Sequence, residues 1–488
     1  MKNKNPLLPG FHLQTLHRTP RTQQQMLADK IAEIKQKTFA QIGACFAKYI
    51  PEKYLLPEED GSMSRNRIFS KENTFWAFFS QVLDSDGGCK EVVRKFQAYL
   101  SLKADIIISS STGAYCKARQ NLHIDGIKEI FQHTANIKPK SSHTSIENRR
   151  VIVIDGTSAS MPDSEENCME WPLKSNIKPG CGFPVINICA LFLLETGVLL
   201  SYKDGDKHSS EITMFREQWD IFKKNDIALA DKGFCNYFDI AKLKDKHVDS
   251  VMVLKNRKPV KAKDAVKVLG KNDLLVEWKK PAWNKRSAYS KEEWKSLPET
   301  LILRQIKVTV LVPGFRTQEY YIITTLHDAI VYTPEALAAL YFKRWDVELF
   351  FRDIKTTMGM DVLRCKTPDM IRKEILMHFI AYNCIRHIMC DAAKEADIKV
   401  RRISFKGTLQ ALRQWEPYLV QSEGKRGEKS RLLARLYKAI TEDLLLDRPD
   451  RSEPRCKKRR PKNYQLLNKP RAEIKEIKHR SRYRAGAA

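Results

Sequence analysis

Long apolar runs are missing from this sequence. The most apolar segment, FPVINICALFLLETGVLLSY at 183–202, is broken by Asn187, Glu195 and Gly197. It reads as two buried strands turning at Glu195-Thr196-Gly197, not as a membrane span. The opening MKNKNPLLPGFHLQTLHR has neither an apolar h-region nor a small-residue cleavage site, so the protein is expected to stay inside the cell with no membrane partner. Paired cysteines are missing too: eleven cysteines are scattered from Cys45 to Cys456 with no CxxC, which argues for reduced thiols used mainly in packing. The eleven histidines show no HExxH and no finger spacing. His378 and His387 fall in the helix-like run EILMHFIAYNCIRHIMC, where packing is expected over zinc ligation.

Acidic charge is scarce relative to basic. Lys and Arg number 86 against 58 Asp and Glu, leaving the 488-residue chain at +28. That balance favours polyanionic partners, nucleic acid above all, although charge speaks to association and not to fold. A hydrophobic fraction of 42% gives a chain of this length room for two to four domains with sizeable cores.

Five regions separate along the chain. Residues 1–145 read as a helical, basic domain whose first fifty residues carry a net +6. Within it, SMSRNRIFSKENTFWAFFSQVL and YCKARQNL alternate basic residues with aromatic and aliphatic anchors. That texture suits DNA phosphates, and equally an ordinary helical domain with a cationic exterior. Residues 149–250 change to short β-branched runs, RRVIVIDGT, FPVINICALFLL and GVLLSYKDG, followed by a helical SSEITMFREQWDIFKK and by NDIALADKGF. This β, β, β, α, β order matches the first part of an RNase H-like α/β core. At 251–330, LLVEW, LILRQIKVTVLVPGF and EYYIITTL read as strands of an inserted β subdomain. Residues 331–395 return to helix, and 396–488 are helical and then basic. The last 38 residues carry a net +11 and include CKKRRPK, read as a mobile or clamping tail.

Two of the strands carry an acid followed closely by glycine, Asp155-Gly156 and Asp231-Lys232-Gly233, where the chain is expected to leave the sheet and present a carboxylate at its edge. One such Asp alone is usually a turn or cap residue. The segment YFKRWDVELFFRDIKTTMGMD at 341–361 adds a third acid in a particular setting. Tyr341, Arg344, Glu348 and Lys355 are separated by three, four and seven residues. On one α-helix those steps put all four within about 60° of a single stripe. Taken alone, Tyr341 reads as a packing residue and Arg344 as an ion-pair partner of Glu348.

Together these residues resemble the DDE transposases of the insertion-sequence 4 family. The resemblance runs from about 150 to 390 and includes LYFKRWDVELFFRDIK, LVPGFRTQEYYIITTL and LRCKTPDMIRKEILMHFIAYNCIR. Its most specific part is the Tyr341, Arg344, Glu348, Lys355 spacing, present without gap or substitution. The resemblance implies an RNase H-like catalytic core with a β-strand insertion, flanked by the helical N-terminal domain and the basic C-terminal region. It implies that Asp155, Asp231 and Glu348 are the catalytic acids and hold Mg²⁺, with Mn²⁺ as a substitute. Hard oxygen ligands suit such ions, and a pair of them can stabilise both the entering and the leaving oxygen of a phosphodiester.

On the same resemblance, Tyr341, Arg344 and Lys355 hold DNA phosphates, as does Lys232, where relatives often carry Arg with its bidentate fork. Trp345, or one of Trp278, Trp283 and Trp294 in the insertion, stacks on a flipped base at a hairpin end. The implied activity is metal-dependent cleavage at element ends and strand transfer, by cut-and-paste. The implied partners are terminal inverted repeats, target DNA and a second protomer in a synaptic dimer, in the cytoplasm with the nucleoid. Two alternatives remain: an RNase H-like nuclease or resolvase without strand transfer, and a domesticated DNA-binding protein without catalysis.

Overall fold

The computed structural model describes residues 43–64, 67–84, 87–104, 108–138, 146–173, 180–255, 257–284, 289–310, 318–421 and 426–446, with Pro470 and Glu473. The two most basic stretches, the first forty-two residues and the tail from Arg451, lie almost wholly outside the described residues, as does most of LVPGFRTQ.

The chain divides into two compact units, one of Met1–His123 with Leu419–Glu423 and one of the remainder. In the first, helices Lys71–Leu83, Cys89–Ala104 and Gly113–Asn121 pack around an aromatic centre of Phe75, Trp76, Phe79 and Phe96. Ser70 caps the first of these helices by accepting the Asn73 N–H. The helix Ile124–Asn136 groups with the second unit, whereas the sequence drew its boundary near 145. Its apolar face, Ile127, Ile130 and Phe131, is buried. His387 from the long helix Pro368–Glu395 bonds the Thr134 carbonyl at 2.7 Å. That histidine and His378, whose ring bonds the Glu374 carbonyl at 2.9 Å, are both buried packing residues.

The second unit is built on one nine-stranded sheet in the order β3-β2-β1-β4-β5-β9-β8-β7-β6. β1 is Val151–Ser160, β2 Val185–Leu193, β3 Leu199–Gly205, β4 Ile227–Ala230 and β5 Asp249–Val253. β6 is Lys267–Gly270, β7 Asp273–Lys279, β8 Thr300–Val310 and β9 Gln318–Thr324. β1 and β4 are parallel, as are β4 and β5, and the pairs β1–β2 and β2–β3 are antiparallel. The inserted strands continue the same sheet, because β9 pairs antiparallel with β5 and carries β8, β7 and β6 beyond it.

Alternation along β1 fixes what each face does. Ile152 and Ile154 join Ala228, Ala230, Met214 and Phe215 in the core on one side of the sheet. Residues of the other parity, Val153 and Asp155, face the opposite side. There the helix Asp346–Arg352 is seated by Phe350 and Phe351, whose rings lie 5.5 and 5.3 Å from that of Phe192. The β2–β3 turn falls at the expected place, with Gly197 at φ +69°. No helix among the described residues is long and apolar enough to cross a membrane.

Candidate active site

Register brings the first two acids together. The last parallel pair between β1 and β4 is Ile154 with Ala230, so Asp155 and Asp231 follow side by side at one strand spacing, about 4.8 Å. Asp155 does not sit where the chain leaves the sheet, as the sequence suggested: β1 continues to Ser160, and Gly156 pairs with Cys189 of β2. Only β4 stops before its acid. There Asp231 Oδ1 accepts the Gly233 N–H at 2.5 Å, while Asp155 Oδ1 accepts the Gly156 N–H at 2.8 Å.

The helical stripe is a composite. Tyr341 ends the α-helix Pro334–Phe342, Arg344 lies in a 3₁₀ turn, Lys343–Trp345, Glu348 rides the α-helix Asp346–Arg352, and Lys355 lies in a π-helical turn, Asp353–Thr357. The tight turn adds rotation and the wide turn removes it, so their departures from an α-helix oppose each other. Arg344 is buried, at 6% exposure, with a terminal nitrogen 3.6 Å from Asp155 Oδ2. Its ion partner is therefore Asp155, not the Glu348 considered from sequence. Among the described residues its Nε is buried with no hydrogen-bond partner. Its guanidinium lies 4.5 Å from the ring of Trp345, which is 43% exposed.

Burial raises the Asp155 carboxyl above its ordinary value, and the negative charges of Asp231 and Glu348 raise it further. The Gly156 N–H and Arg344 pull the other way. The three acids therefore share one electrostatic environment. Tyr341, buried, has its hydroxyl pushed up by desolvation, with Arg344 opposing. Lys355 is half-buried and Lys232 is exposed.

A fourth acid stands at the same place. Glu211, read from sequence only as part of a helical run, opens the short helix Glu211–Arg216 capped by Ser210. The residue is exposed, yet partial desolvation of its carboxyl, and then the charges of Asp155 and Asp231, raise that carboxyl. The only signal in the sequence is an acid just after a Ser-Ser cap, which helix starts show everywhere.

The donors are hard carboxylate oxygens, the set that Mg²⁺ or Mn²⁺ prefers, and their mutual repulsion is of the kind a cation relieves. As they stand, no three His, Cys, Asp or Glu side chains among the described residues converge closely enough to hold an ion. The Asp and Glu side chains have rotamers with which to close, and Glu348 is exposed.

Residues 147–384 match the transposase DDE domain family. Over 426 residues the chain is 24% identical to the transposase InsG for insertion sequence element IS4 of Escherichia coli (strain K12), spanning 84% of this chain and 92% of that protein. The chain therefore resembles the DDE transposases of insertion sequences. A shorter match, 30% identical over 84 residues, joins 17% of this chain to 22% of a probable transposase for insertion sequence element IS5377 of Geobacillus stearothermophilus. Among solved structures, a piggyBac transposase synaptic complex with hairpin DNA aligns over 87% of each chain, at TM-score 0.40 and 11% identity.

The tryptophans of the chain differ in what they can offer. Trp278 is buried, and the guanidinium of Arg257 lies 4.3 Å from its ring. Trp283 donates its Nε1–H to the Tyr289 carbonyl at 3.3 Å. Trp294 lines a cavity of about 420 Å³ with Phe238, Tyr289, Arg216 and Lys255. Trp345 is the most exposed of these four.

Proposed function

We propose that this protein is a DDE transposase that excises its element and inserts it elsewhere by cut-and-paste, using Asp155, Asp231 and Glu348 as metal-holding catalytic acids on an RNase H-like core. The observation that carries the reading is the Ile154–Ala230 register with Arg344 3.6 Å from Asp155. Two strand acids, the helix bearing the third and a buried cation are thereby assigned to one small region. The strand order β3-β2-β1-β4-β5, with its parallel pairs, supports the RNase H-like reading. The intended ion is Mg²⁺, with Mn²⁺ as a substitute. Bound there, divalent ions would stabilise charge on the entering and leaving oxygens of a phosphodiester.

The residues of the chain then divide the remaining work. Arg344 offers its spare N–H to a phosphate oxygen, and Lys355, Lys232 and the Tyr341 hydroxyl supply further phosphate contacts. Trp345 is proposed to stack on a base, a reading supported by its exposure beside the Arg344 guanidinium. In the cleavage step an oxygen of water bonds to phosphorus as the bond to the 3′ oxygen breaks. In strand transfer the freed DNA 3′-hydroxyl takes the place of water. The entering oxygen gives up a proton and the departing 3′ oxygen gains one, so no covalent protein intermediate at Tyr341 is required. The helical unit and the basic tail would hold terminal repeats and target DNA, with two protomers pairing the element ends, in the cytoplasm at the nucleoid.

The test is cleavage and joining of end-containing DNA in Mg²⁺ by wild type and by Asp155→Ala, Asp231→Ala and Glu348→Ala. Loss of both products in all three variants is expected. Equal products from wild type and variants would overturn the assignment, and cleavage without joining by wild type would favour a nuclease.

A further inference from the structure

Gly156 follows Asp155 within a regular strand, where a glycine has no turn to make. A Cβ at that position would overlap the Glu211 carboxylate and come within 2.7 Å of its Cγ. The glycine therefore leaves the space that the Glu211 side chain fills. Alternation along β1 turns position 156 toward the face carrying Met214 and Phe215, which belong to the same short helix as Glu211. Glu211 thus reaches the acids from the layer opposite Glu348, through the gap in the strand.

Its placement is built by the loop before it. Asp206 Oδ1 accepts the N–H groups of His208 and Ser209 and the Ser209 hydroxyl, at 3.0, 3.0 and 2.9 Å. Ser210 accepts the Thr213 N–H at 3.1 Å. These bonds set the chain direction just where Glu211 begins its helix.

We infer that Glu211 is a fourth carboxylate of the divalent-metal site, entering across Gly156 to hold the ions jointly with Asp155, Asp231 and Glu348. This rests on the assignment of those three acids made above. Asp155 has one guanidinium beside it, that of Arg344, and three further carboxylates that act on it or on one another, a surplus of negative charge that bound cations relieve. An independent observation points to a ligand at the same place. Arg344, more than nine-tenths buried, sets a terminal nitrogen 3.6 Å from Asp155 and keeps its Nε–H unpartnered, as a site prepared for an anionic phosphate together with its metal ions would require. Raised carboxyls at both Asp155 and Glu211 agree with this geometry.

The experiment is Mn²⁺ titration of the full-length protein, followed by the loss of the free-ion electron paramagnetic resonance signal, without DNA and without turnover. Wild type is compared with Glu211→Gln, Glu211→Asp, Gly156→Ala, Asp155→Asn, Asp231→Asn and Glu348→Gln, with melting temperatures in chelator to establish that each variant folds. Glu211→Gln is expected to weaken Mn²⁺ binding by about 10- to 100-fold with unchanged or raised melting temperature in chelator. Glu211→Asp should recover part of the loss, and Gly156→Ala should imitate Glu211→Gln by displacing the carboxylate. Wild-type affinity in Glu211→Gln, with loss in the other three acid variants, overturns the role of Glu211 and leaves the three-acid assignment standing. Wild-type affinity in Asp155→Asn, Asp231→Asn and Glu348→Gln overturns that assignment and this inference with it.

Discussion

Replacing Arg344 by lysine would keep a positive charge beside Asp155 and remove the planar fork that, in the proposed reading, serves both the carboxylate and a phosphate. About a tenfold loss in cleavage rate is expected, with a smaller change in Mn²⁺ affinity, read from single-turnover cleavage beside metal titration. Asp353 supplies a pH dependence separate from catalysis. It is buried in the π-helical turn, and desolvation lifts its carboxyl to about 6 from 3.8, against the pull of Arg386 and Arg352. The folded state therefore holds this proton more tightly than the unfolded chain. Its contribution to stability is complete below about pH 4 and is lost as pH rises through 6. Asp353→Asn should remove that slope and make the protein more stable above pH 6, by about 2–3 kcal/mol. Urea unfolding of both proteins at pH 4 and pH 7 checks it, and an unchanged difference between the two pH values would contradict it.

At the level of elements, the β2–β3 turn is clamped by the long helix Pro368–Glu395. Tyr382 donates to the Gly197 carbonyl at 2.7 Å, Arg386 donates to the Thr196 carbonyl at 2.6 Å, and Asn383 exchanges bonds with Leu199 at 2.9 Å in each direction. Gly197 has φ +69°, and a Cβ there would come within 2.6 Å of the Arg386 guanidinium carbon. Gly197→Ala is therefore expected to cost about 1–3 kcal/mol, seen as a lower denaturation midpoint. Phe192 acts on the other side of the site, as the seat of Phe350 and Phe351. Phe192→Ala should cost about 3–5 kcal/mol. Because the Glu348 helix loses its support, cleavage should fall further than the folded fraction alone accounts for. Activity falling only in step with the folded fraction would contradict that role.

For the whole molecule, a charge of +28 makes association with DNA an exchange of protein cations for condensed counterions. Affinity for a DNA duplex should fall roughly 10³-fold or more between 50 and 200 mM salt, with a linear double-logarithmic plot. A flat salt response by fluorescence anisotropy would contradict an interface made of phosphate contacts. Dividing the chain at His123 instead of near 145 is also a whole-molecule result. The helix Ile124–Asn136 is amphipathic like its predecessors, and nothing local reveals that its apolar face belongs on the Pro368–Glu395 helix.

By itself the sequence determined the strand-strand-strand-helix-strand order, the Glu195-Thr196-Gly197 turn and the spacing that singled out Tyr341, Arg344, Glu348 and Lys355. Each of these is written in periodicity, turn chemistry or fixed intervals along one chain. Tertiary structure alone decided that Asp155 lies within a strand, that Arg344 pairs with it, that the inserted strands extend the main sheet, and that the Glu211 side chain packs against Gly156. Those facts depend on which strands pair and in what register. Such pairings join residues far apart in the chain, so no local pattern records them.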